Sequence, residues 1–337
     1  MKVLGIRALT WCLSALCIFT TVGCATVEEA PPEPATKPVV MSATTLQKVY
    51  PGQPSYQDIV MEKGITYATV DGRDLKLNLA RPVAYEKPLP GVVFLAPQNR
   101  GLMDKNVSLA ATRGYVGVTI DRRGYTYRFP AQVNDVSCAI RWLRAKAEKY
   151  GLDPSRIGVM GEGRADAGYQ DGGYLALMIG FIDETHRLYG NCGDSKQSSR
   201  VQAVISMAGY SDAKRFYETR DWYHGRKDEE AFEQHLGGTP EEVPERYKEA
   251  SPITYISADD PPVLSLFQEG SGFFPFEQVE ILDAKLKEFG VPHIVLQYIR
   301  VAGSISRGTL MTVPQSDNEE RGLVSDAMFA FFDEHLK

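Results

Sequence analysis

The sequence has no basic cluster. Its 37 lysines and arginines face 43 aspartates and glutamates, for a net charge of −6. A nucleic-acid partner needs a positive stripe to meet phosphate, so that class is set aside. Histidine is scarce, with five in 337 residues, which leaves few side chains able to act as a base near neutral pH. No His/Asp/Glu group shows the close spacing of a metal site, and no cofactor is expected. There is no internal repeat. What is present is ordinary for a soluble globular protein, with 43% hydrophobic and 24% charged residues. The length suits one α/β domain of about 250–290 residues plus a leader.

Residues 1–23 read as an export signal. Lys2 and Arg7 form a short positive start, and Ala8 to Val22 is an apolar run too short for a typical membrane span. The run closes on Thr21-Val22-Gly23-Cys24, which resembles the bacterial lipobox, with threonine where leucine is usual. The resemblance implies cleavage before Cys24 and a lipid on its sulfur. The plainer alternative is an ordinary signal or an uncleaved anchor with an incidental cysteine. Ala25 after the cysteine implies onward sorting to an outer membrane, with the domain facing the periplasm. Residues 24–50 are rich in Pro, Glu, Ala and Thr with few large apolar side chains, so they read as a tether. Cys138 and Cys192 remain for the folded part of an exported chain. Either they pair, or Cys138, set in a helical apolar pattern, is a buried thiol.

Residues 51–337 read as one domain. Ile65 to Val70 and Leu75 to Ala80 alternate around Asp71-Gly72, a β-hairpin pattern. Apolar runs follow at Gly91–Ala96, Val116–Ile120, Ile157–Met160, Ala203–Met207, Val263–Phe267 and Ile294–Ile299. Between them Val133, Val136, Ile140, Leu143 and Ala147 recur at helical spacing, as do Val279, Leu282, Leu286 and Phe289. Leu323–Leu336 gives a last helix. Fully apolar strands alternating with amphipathic helices predict an α/β fold with a mostly parallel sheet covered on both faces. Residues 210–247, dense in charge and aromatics, break the rhythm. They are read as a small cap above the strand ends, or as a solvated helical excursion with no part in function.

The stretch Ile157 to Gly180 puts a short strand, a glycine turn and an apolar helix in succession. With Phe129-Pro130-Ala131-Gln132-Val133-Asn134-Asp135-Val136, Arg141-Trp142-Leu143-Arg144, Tyr150 to Val159, Ser199 to Val204 and Ala250 to Tyr255, it resembles the esterase/lipase branch of the α/β-hydrolases. The nearest members are carboxylesterase- and feruloyl-esterase-like. The resemblance runs from about Thr66 to the C-terminus. It implies a serine on a strand-to-helix elbow, a histidine base, an acid that orients it, and backbone N–H groups that hold the oxyanion.

Each of those positions departs from the family pattern. The family's elbow reads Gly-Glu-Ser-Ala-Gly-Gly-Tyr-Leu-Ala. Here Gly161-Glu162 is followed by nine residues from Gly163 to Asp171, and only then by Gly172-Gly173-Tyr174-Leu175-Ala176. Gly163 stands at the serine position, with Gly161 and Ala165 as the small flanks. Ser271 stands at the acid position, with Glu269 two residues before it, and Ser304 at the histidine position. The oxyanion stretch reads Ala96-Pro97-Gln98-Asn99, without glycine and with a proline that has no N–H. Asp166 and Asp171 lack the small residue that an elbow nucleophile needs two positions earlier. His293, His186 and His335 fall away from the active end. Only His224 and His235 are placed to face it.

The expectation is an α/β-hydrolase domain on a lipid tether, silent in the family's chemistry. Its cleft would be bordered by Gln98, Asn99, Arg100, Glu162, Arg164, Asp166, Trp222 and Tyr223, and would take an unknown small ligand or an envelope protein. Two alternatives stay open. One is an esterase-like enzyme with a rearranged nucleophile, Asp166 or Ser271. The other is a structural lipoprotein whose cleft is filled by its own side chains.

Overall fold

The computed structural model describes residues 39–41, 58–96, 104–124, 126–163, 171–183, 186–190, 192, 194, 196–219, 226–268, 274–298, 312–313 and 322–337. All of them fall in the second of two compact units, residues 35–337.

The chain opens with β1 (Val39–Met41), β2 (Ile59–Val70), β3 (Arg73–Pro82) and β4 (Leu89–Leu95). Then come α1 (Asp104–Thr112), β5 (Val116–Ile120), α2 (Ala131–Ala145), α3 (Ala147–Tyr150), β6 (Leu152–Glu162) and α4 (Asp171–Phe181). Next are β7 (Ala203–Met207), α5 (Ala213–Thr219), α6 (Arg226–Leu236), α7 (Pro244–Glu249) and β8 (Val263–Gln268). The described chain ends with α8 (Glu277–Phe289), β9 (His293–Tyr298), β10 (Thr312–Val313), β11 (Gly322–Leu323) and α9 (Val324–Leu336). Among the described residues nine strands form one sheet, in the order β1-β2-β3-β5-β4-β6-β7-β8-β9. From β5 across to β9 every pair is parallel, and β1, β2 and β3 add on antiparallel.

The parallel strands are apolar throughout because both faces are covered. Val93, Leu95, Ile157 and Val159 pack under α2, α4 and α8. Val92, Phe94, Met160 and Ile205 pack under α1 and α9. The expected hairpin is present, with Val70 opposite Arg73 across Asp71-Gly72. Asp71 and Gly72 both have positive φ, 52° and 74°, as a two-residue hairpin turn requires. β1 is a further finding: three residues of the proline-rich N-terminal stretch pair with Ile59 to Met61 and cover the edge of β2.

Two interactions fix the helices that frame the strand ends. Arg123, just beyond β5, donates from Nε to Asp135 of α2 at 3.0 Å and from its backbone N–H at 2.7 Å. It also reaches Asp71 at the hairpin tip, 3.4 Å away. Burial holds the Asp135 carboxyl above the usual carboxylate range, and Arg123 offsets only part of that rise. Breaking such a buried pair from one side costs about 3–5 kcal/mol. The second is a disulfide between Cys138 and Cys192, Cα atoms 5.4 Å apart, which settles the open question of whether those cysteines pair. Beside it Arg141 donates to the carbonyls of Tyr189, Gly190 and Cys192 at 3.0–3.3 Å.

Candidate functional site

The joint between β6 and α4 is built on close backbone contact. A Cβ on Gly161 would lie 1.8 Å from the Gly172 carbonyl oxygen. One on Gly172 would lie 2.3 Å from the Glu162 oxygen and 2.5 Å from the Leu95 oxygen. Gly173 and Gly209 press on each other in the same way, with Cβ positions 2.7 Å from Gly209 N and 2.2 Å from Gly173 C. No side chain fits at any of the four. Between Met207 and Gly209, Ala208 holds φ at 50°, a left-handed setting that costs an L-residue about 1–2 kcal/mol. The described ends of β6 and α4 therefore meet in the close approach that an elbow demands. The helix-side small residues are Gly172 and Gly173, whereas Ala165 lies outside the described residues.

Gly163 follows directly on β6. Its N–H donates to the Met207 carbonyl at 2.7 Å, one rung beyond the Glu162–Met207 pair. It is buried and offers no side-chain atom to this end of the sheet. Glu162 is half-buried beside it. At the neighbouring strand end, Arg122 is 7% exposed and its Nη2 donates to the Ala96 carbonyl at 2.6 Å. A guanidinium thus grips the backbone just beyond the end of β4, a residue that sequence reasoning missed. Gln98, Asn99, Arg100, Arg164, Asp166, Trp222, Tyr223, His224, Ser271 and Ser304 lie outside the described residues. So do Cys24 and the leader.

The described histidines are all engaged. His235, expected to face the cleft, is 4% exposed and ties α6 to the segment after β5. Its Nδ1 lies 3.3 Å from the Tyr127 carbonyl, and its own carbonyl accepts from Phe129 N–H at 3.0 Å. His186 accepts from Leu188 N–H, and the His335 ring packs edge-on against Phe331. His293 lies between Asp283 and Ser265: Nδ1 is 3.0 Å from Asp283 Oδ1, and Nε2 is 2.9 Å from Ser265 Oγ.

That hydroxyl–imidazole–carboxylate chain has the spacing of a hydrolytic triad. Its position is wrong for one. By strand register His293 is level with Val263 at the start of β8, three strands away from β6. Ser265 is 3% exposed, inside the sheet under α8, so no substrate reaches it from the end where the elbow opens. Among the described residues no three His, Cys, Asp or Glu side chains come together to hold a metal ion.

Comparison with known proteins places these features. The BD-FAE family model matches residues 96–286. "Probable carboxylic ester hydrolase LipM" of Mycobacterium tuberculosis is 27% identical over 66% of this chain and 48% of its own length. Esterase LipC of the same organism is 26% identical over 65% and 53%. The chain spans about half the length of the curated relatives it matches. Among solved structures, the thermophilic esterase Est2 of Thermogutta terrifontis superposes with a TM-score of 0.57 at 23% identity, covering 72% of this chain and 84% of that one. The tabun-phosphoramylated form of that esterase superposes at 0.60 and 22%, covering 85% and 95%. A carbohydrate esterase from gut microbiota gives 0.57 at 21%, covering 74% and 90%. The fold is that of the α/β-hydrolase esterases, and its relatives are esterases.

Proposed function

The chain belongs to the BD-FAE family, and from that premise we propose that it is a lipid-anchored member that has given up ester hydrolysis. In this reading it serves at the cell envelope by binding a small ligand or an envelope protein in the cleft above the strand ends. Gly163 is the observation that carries the reading. It follows Glu162 at a joint whose glycines hold β6 and α4 in close approach, and a residue without a side chain supplies no oxygen to attack a carbonyl. Ser271 and Ser304 at the acid and base positions point the same way, since a hydroxyl neither orients an imidazole by charge nor accepts a proton near neutral pH. The envelope address draws support from the Cys138–Cys192 disulfide, because such bonds persist in oxidising compartments.

The test uses the mature chain with p-nitrophenyl esters of short acids and with a fluorophosphonate probe. We expect no turnover above buffer and no adduct, in contrast to the Thermogutta esterase, which tabun phosphoramylates. An adduct on any serine of the folded chain overturns the reading. The esterase names of the relatives favour the second reading, an enzyme with Asp166 or Ser271 as nucleophile. It would need His224 or His235 as base, and the Nδ1 contact of His235 with Tyr127 weighs against that residue.

A further inference from the structure

β9, the end strand of the nine-stranded sheet, is fastened at its first residue by a hydrogen-bonded chain. Asp283 of α8, a carboxylate that can only accept, fixes the proton of His293 on Nδ1. Nε2 is then an acceptor, and the Ser265 hydroxyl of β8 donates to it. The imidazole thus joins β9, β8 and α8 at one point, with its side chain 1% exposed. On the far side of Asp283, Lys287 donates to Oδ2 at 2.5 Å. Among the described residues, the charged groups that face the ring are Asp283 and Lys287 from α8, and β8 contributes the neutral Ser265.

We propose that the Ser265–His293–Asp283 chain is an acid-sensitive latch on the β8–β9 edge, loosened when the ring takes up a second proton. Protonated Nε2 would have to donate. The Ser265 hydroxyl would then have to turn away and find another acceptor in a seam where it is 3% exposed. Asp283 would attract the new positive charge, but that carboxylate is already paired with Lys287 and the ring would still be out of water. Burial accordingly holds His293 below the usual histidine value of 6.5, against the pull of Asp283. The sign follows. The unfolded chain binds this proton as pH falls through about 6.5 and the folded chain resists it, so the stabilisation is present above that pH and is lost below it. β8 and β9 are neighbours at one side of the sheet, so releasing the latch loosens that edge.

Hydrogen exchange on the mature chain at pH 7.5 and pH 5, read by mass spectrometry beside His293→Gln, tests the latch. Exchange of Val263–Gln268 and His293–Tyr298 should rise in the native chain relative to the variant, by up to about tenfold per pH unit below 6.5. The comparison removes groups elsewhere, such as Asp260, whose carboxyl burial pushes up to about 6. Equal native-to-variant ratios at the two pH values overturn the proposal. Should His293→Gln not fold, a nitrogen-15 titration of His293 in the native chain decides. A midpoint below 6.5 that rises in Ser265→Ala supports the latch, and a midpoint at or above 6.5 sinks it.

Discussion

Placing a hydroxyl at residue 163 would restore the look of an elbow and little else. On the proposed reading, in which Ser271 and Ser304 stand at the acid and base positions, we expect Gly163→Ser to hydrolyse p-nitrophenyl acetate no faster than the native chain. Assays of kcat/KM on the two proteins check this, and a clear gain would mean that a base lies within reach after all. The β6–α4 joint was legible in the sequence because its flanks are contiguous on both sides, Gly161-Glu162 on the strand side and Gly172-Gly173-Tyr174 on the helix side. The His293 chain was not legible. Its three members come together only through the β8–β9 register and the seat of α8, across separations of 10 and 28 residues. Arg122 was hidden for a similar reason: its partner is a backbone carbonyl 26 residues away, which no side-chain pattern announces.

At the scale of elements, the β6–α4 joint should be the least forgiving place in the domain. A methyl on Gly172 would meet two backbone oxygens at 2.3 and 2.5 Å, and neither can move without shifting a central strand. Gly172→Ala is expected to cost more than about 3 kcal/mol in a denaturant titration or to prevent folding, as other overpacked, strained sites do. Gly64 is the contrast, since a methyl there meets nothing within 4 Å and pays only for its φ of 67°. The disulfide is a milder support. Converting Cys138 and Cys192 together to serine should lower stability by about 2–4 kcal/mol, towards the smaller figure because Arg141 keeps its grip on the same segment. The parallel strands and α2, α8 and α9 were readable because burial on fixed faces leaves a period in the apolar residues. Helix α1 left none: it buries Ser108 and Thr112 beside Val107 and Leu109, so polar and apolar positions blur. The 210–247 stretch held three short helices, α5 to α7. They are joined by rings rather than by a helical stripe, with Phe216 and Phe232 both within 5.7 Å of Tyr210 and of each other.

For the whole molecule, the leading question is where it sits in the cell. Cys24→Ala is expected to move the chain from the membrane pellet to the soluble fraction, and intact-mass measurement of the native chain should show diacylglycerol on its first residue. Retention of the variant in the pellet would instead favour an uncleaved anchor. The fold class was open to sequence reasoning because it rests on alternation repeated along some 270 residues, whereas the lipid anchor is an expectation that rests on residues 1–24 and, for its lipid, on Thr21 to Cys24. One detail bears on anyone who prepares this protein. Trimming to residue 51, the obvious cut if the first fifty residues are taken as disposable, would delete Val39–Met41 and strip three rungs from the flank of Ile59–Met61. Bare strand flanks recruit other chains. A shortened preparation that clumps would then be reporting the loss of its own selvedge, and a cut ahead of residue 39 should stay dispersed.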